Sequence, residues 1–97
     1  MAKMPVEYDG GIVVDSVADT SHPTIATQAQ KDITLTATKS GYTPLAIAGT
    51  NISSSGAVVV AFVNVTGSTI FVRLLNTGSA SQTIGNVTIT VLYKKNN

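Results

Sequence analysis

Chemistry in this chain would have to come from a short roll of side chains. The 97 residues include one histidine and no cysteine, and all five carboxylates (Glu7, Asp9, Asp15, Asp19 and Asp32) fall within the first 32 positions. A nucleophile or an acid–base pair needs a second group held within hydrogen-bond reach. His22 stands beside Pro23 in the turn-forming run DTSHP and reads as a loop residue. Asp15 and Asp19 would share a strand face and, with Asp9, could approach a cation, but their spacing matches no calcium loop and solvated acids are the simpler reading. Without cysteine there is no disulfide and no thiolate metal site. The glycines form neither a Walker loop nor a dinucleotide fingerprint. No catalytic, cofactor or metal residue is therefore assigned. A hydrolase or lyase would require two of the five acids to converge in a cleft, and it is the weakest of three readings.

Charge narrows the remaining classes. Only 11% of the residues are charged and the net charge is +1, against about 25% charged in ordinary soluble proteins. Binding to nucleic acid usually needs a concentrated basic face, so that class is disfavoured. The acids lie early, whereas residues 33–97 hold Lys39, Arg73, Lys94 and Lys95 with no acid. That division is either an uninformative split of a small set or a means of chain-to-chain steering. The opening MAKMPVEYDGG has no apolar core, so no secretory signal is expected. No apolar run is long enough for a membrane-crossing helix, and membrane insertion is not expected.

The elements that would carry any site are strands. Fourteen threonines and nine serines, with 43% apolar residues, suit half-buried β structure. Residues 1–11 read as an arm, and residues 12–18 as a first short strand. Residues 24–30 are ambiguous, with strand or loop preferred over helix. DITLTATK at 32–39 and NVTITVLYK at 86–94 alternate threonine with aliphatic residues in period two. Pro44 restricts the strand around residues 42–48 to a sheet edge or a bulge. Gly85 suggests a bulge near the start of the last strand. These signals predict an all-β chain, a small antiparallel β-sandwich of six to seven strands. Residues 31–97 form the sandwich, and residues 1–30 supply an arm and first strand that belong to the same domain or reach a neighbouring subunit.

The hairpin AVVVAFVNV (57–65) and TIFVRLLN (69–76), joined through Gly67, organises the rest. Strict alternation puts Val58, Val60 and Phe62 on one face and Val59, Ala61 and Val63 on the other. A lone sandwich has core on only one side of each sheet, so the second face calls for a partner chain. Val59, Ala61, Val63, Phe71 and Arg73 are the expected oligomer interface. Arg73 is the one charge in the hairpin; it either extends its head group to solvent or pairs with an acid of another chain. Two polar loops, NISSSG (51–56) and NTGSASQT (76–83), offer candidate ligand contacts at Asn51, Ser53, Ser54, Asn76, Thr77, Ser79 and Gln82.

The run KSGYTPLAIAG at 39–49, the apolar hairpin and the closing NVTITVLYKK at 86–95 together resemble the C-terminal receptor-binding or head-like domains of tailed-phage tail-fibre and baseplate proteins. The resemblance spans residues 30–95, and the Lys-Ser-Gly-Tyr-x-Pro turn is its distinctive part. It implies a compact β-sandwich assembled as a homotrimer, placed on the virion beside other virion proteins and used to contact a host-surface saccharide or protein. It transfers no catalytic or ligand motif. A fibre shaft, with heptads or collagen repeats, would usually precede such a tip, and here only about thirty residues do. A decoration or assembly protein with no external ligand is the alternative.

Overall fold

A computed structural model describes residues 11–96. Those residues form eight strands and no helix: β1 (Ile12–Asp19), β2 (Thr24–Ile25), β3 (Gln30–Thr36), β4 (Tyr42–Ile52), β5 (Val58–Thr66), β6 (Thr69–Asn76), β7 (Gln82–Thr83) and β8 (Val87–Lys95). Two three-stranded antiparallel sheets, in the orders β1-β8-β4 and β3-β6-β5, make the sandwich, and β2 pairs with β7 in a separate ribbon. The expected all-β sandwich is thus observed, with six long strands and two short ones where six to seven were expected. The ribbon has no signal in the sequence because two-residue strands carry no periodicity. β1 lies against β8 along its whole length, so residues 12–19 belong to the same domain as the rest.

Alternation explains the core. On β8, Val87, Ile89, Val91 and Tyr93 are buried and the threonines between them face outward; on β6, Ile70, Val72 and Leu74 do the same opposite them. Val13, Ile33 and Val58 belong to the same buried cluster, and Ile25 and Ile84 from the ribbon region join it. Val60, Val63 and Val65 pack against this cluster from β5.

The hairpin turn is as the sequence requires. Thr66 pairs with Thr69 across Gly67 and Ser68, and Gly67 has φ +60°, the value a II′ turn takes at its first central residue. Pro44 lies on β4, an outer strand, next to a register shift, which accommodates its missing N–H. Gly85 has a different role from the expected bulge. It lies before β8, where its N–H donates to the Ser53 carbonyl (2.8 Å) and an added Cβ would run into the Ser53 hydroxyl and carbonyl oxygens.

Candidate functional site

Connections gather at one end of the sandwich. β1, β4 and β6 finish there, and β3, β5 and β8 begin there, so the segments 20–23, 26–29, 53–57, 77–81 and 84–86 are neighbours. Gly11 and Asn96 lie at the other end, where Gly11 accepts from Lys95 N–H (2.8 Å) and Asn96 N–H donates to Gly41 (2.9 Å). The two polar loops expected to hold ligand contacts therefore sit together, remote from where the described chain enters and leaves.

Many polar groups of these loops are already used to hold them. Asn76 was a candidate contact, yet it is 0% exposed and its side chain is spent inside. Its amide nitrogen donates to the carbonyls of Ile25 (2.9 Å) and Ala80 (2.8 Å), and its oxygen accepts from Gly78 N–H (2.9 Å). Burial at the end of β6 thus removes Asn76 from the ligand candidates. The Thr77 hydroxyl donates to the Ala57 carbonyl at 2.7 Å, and the Ser53 hydroxyl accepts from Asn86 N–H at 2.8 Å. Thr27 and Gln28, which the sequence did not single out, donate to the carbonyls of Gly78 and of Thr77 and Gly78. His22 contacts Asn86 Oδ1 through Nε2 at 2.7 Å. Gln82 is half-buried in the ribbon beside Gly56. Asn51, Ser54 and Ser79 are exposed, and among the described residues no hydrogen bond engages their side chains. The described surface has no pocket at this end or elsewhere.

The outer face of the β3-β6-β5 sheet is the second surface. Its register sets Gln30, Leu75 and Val59 in one row, Asp32, Arg73 and Phe62 in the next, and Thr34, Phe71 and Asn64 in the third. Val59 is 46% and Phe62 50% exposed, so part of the hairpin's apolar surface is left uncovered by the described chain. The expected assignment of faces needs one correction. β5 has an extra residue, Ala61, between Val60 (opposite Leu74) and Phe62 (opposite Arg73). This bulge turns Phe62 outward and Val63 inward, so Val63 packs on the core and leaves the expected interface set. Val59, Ala61, Phe71 and Arg73 remain on the outside, joined by Phe62 and Leu75.

Arg73 finds its acid within its own chain. Its Nε and Nη2 donate to the two Asp32 oxygens at 2.9 and 3.1 Å, a bidentate pair across β6 and β3. The Arg73 guanidinium also lies 5.4 Å from the Phe71 ring centre, and Phe71 meets Phe62 in a tilted pair at 6.1 Å. The Arg73 hydrogen bonds hold the Asp32 carboxyl below the usual carboxylate range. Asp15 is held low as well, first by the Ser16 N–H and then by Lys39, whose ammonium stands 3.3 Å away. The divided charge of the sequence is thus partly cancelled inside one molecule, which removes these two pairs from any steering between chains.

The three acids among the described residues stand apart from one another. Asp15 meets Lys39, Asp32 meets Arg73, and Asp19 accepts from the Ser21 hydroxyl at 2.6 Å, each in a different place; Glu7 and Asp9 lie outside the described residues. Among the described residues no three His, Cys, Asp or Glu side chains converge on a point. Compared with family models, curated proteins and solved structures, the chain matches none.

Proposed function

We propose that this chain is a non-catalytic, self-associating module of a tailed-phage virion surface, similar to a fibre or baseplate tip, whose loop end contacts a saccharide or protein on the host. The observation that carries the reading is polarity of layout: the polar loops converge at one end while the described chain enters and leaves at the other. A module tethered at one end and presenting loops at the opposite end has the geometry that display requires. Near the free hydroxyls of Ser54 and Ser79, that end offers hydrogen-bonding groups with little charge, which suits neutral polar ligands.

A specific observation favours the second reading, a decoration or assembly module with no external ligand. The loops bond chiefly to one another, through Thr27, Gln28, Ser53, Asn76 and Thr77, and enclose no pocket. The labelled 97-residue chain, applied to a panel of bacterial cells and to a glycan array, separates the two. Host attachment predicts saturable binding that Ser54→Arg with Ser79→Arg reduces at least about tenfold, the loss of roughly 1.4 kcal/mol. No binding to any cell or glycan would sink the attachment role and leave the structural one.

A further inference from the structure

Three of the four edge strands of the two three-stranded sheets carry something that discourages a further strand. β4 contains Pro44, which has no N–H to donate, and two register shifts, at Leu45 and at Ala48. β1 carries Asp15 and Asp19, and the Asp15 carboxylate itself accepts the Ser16 N–H at 2.8 Å. β3 presents Lys31 and Asp32 side by side. Charges, proline and bulges are the usual means by which edge strands avoid pairing with other molecules. β5 differs. Its nine residues, VVVAFVNVT, include no charge and no proline, and the one irregularity is Ala61.

The tight turn fixes which β5 groups are open. Thr66 and Thr69 flank a two-residue turn and exchange backbone hydrogen bonds, so the N–H and C=O of Asn64 point to β6 and those of Val63 and Val65 point away from it. β5 is the last strand of its sheet, and among the described residues no other element bonds the backbone of Val63 or Val65.

We propose that β5 pairs antiparallel with β5 of a second copy, joining the two three-stranded sheets into one six-stranded sheet across a two-fold axis. The guarded edges select the occupant. A second copy has the same three edges closed, so β5 is the strand it has to offer, and a strand meeting its own counterpart makes an isologous, self-closing contact. Self-pairing opposes no like charges, because β5 has none. It also brings Val59 and Phe62, the two large exposed apolar residues of β5, beside their counterparts on the outer face. The pairing is independent of what the loop end binds, and it yields two copies where the phage-fibre resemblance implies three.

Sedimentation equilibrium of the 97-residue chain at micromolar concentration, together with residue-resolved amide exchange, tests this. The expected mass is twice the 10.0 kDa of one chain, with the Val63 and Val65 amides exchanging at least about tenfold slower than solvent-facing amides of β1. Phe62→Lys, at the exposed middle residue of β5, should halve the mass and release both amides while the circular dichroism spectrum stays near wild type. The wild-type measurements stand alone should that variant misfold. A single-chain mass, a three-chain mass, or a pair whose Val63 and Val65 amides exchange freely would each overturn the proposal. Slow amides in a single chain would overturn it too. Failure of cell binding leaves every one of these readouts unchanged.

Discussion

Asn76 holds the loop end together from one position. Both of its amide hydrogens and its oxygen are used, so one side chain ties the β6–β7 connection to itself through Gly78 and Ala80 and to β2 through Ile25. Leaving such partners unsatisfied in a buried place costs about 1–3 kcal/mol for each group stranded. Asn76→Ala should therefore lower the unfolding free energy by about 3 kcal/mol, read from the urea midpoint at constant slope. Ser54→Ala, at an exposed residue without such bonds, should change it by less than about 0.5 kcal/mol. Equal midpoints for the two variants would mean that water replaces the lost amide. The sequence did contain a pointer to this role, because asparagine two residues before glycine is a frequent side-chain-to-backbone turn. A polar residue in a polar run suggests accessibility, since burial at the end of a strand leaves no mark in local composition.

At the scale of elements, β5 shows what alternation can and cannot give. Where the ladder is straight, on β3, β6 and β8, period-two reading places the side chains correctly, and Gly67 and Pro44 mark the hairpin turn and the edge strand. Beyond Ala61 the reading slips by one residue, because this bulge contains no glycine to announce it. The bulge predicts an asymmetry between deletions. Removing Ala61 leaves Val60 inward and Phe62 outward on a straight ladder, so the fold should survive with a native-like amide spectrum. Removing Val63 instead takes out a side chain packed on the core and brings Asn64 into its inward position, and that variant should lose its dispersed spectrum. Two similar spectra would show that the strand shifts register freely. The convergence of five connections was invisible for another reason: it depends on which strands neighbour each other, and nothing local encodes that β1 finds β8.

Over the whole molecule, scarcity of charge makes the acid response simple. The two ion pairs described, Asp32 with Arg73 and Asp15 with Lys39, each join segments distant in sequence. In both cases the carboxyl is held below its ordinary 3.8 in the folded state. A depressed folded value means that the contribution is complete above the unfolded value and is lost as pH falls through the folded one. Stability should thus be level from neutral pH down to the ordinary carboxylate range and fall below it. Asp32→Asn with Asp15→Asn should flatten that fall in melting curves taken across the acid range. An unchanged acid limb would assign it to other carboxylates. Both pairs are well exposed and screened by water, so their effect belongs to the acid limb and contributes little near neutrality.

β8 is the middle strand of its sheet, with β1 on one side and β4 on the other, yet it follows both of them in the chain. A ribosome therefore releases β1 and β4 long before the strand that bridges them exists. Until then both wait without their hydrogen-bonding neighbour while the β5–β6 hairpin can already close. Half of this sandwich can assemble only once synthesis has passed residue 95, and the guards on β1 and β4 protect the nascent polypeptide during that wait as much as the finished molecule.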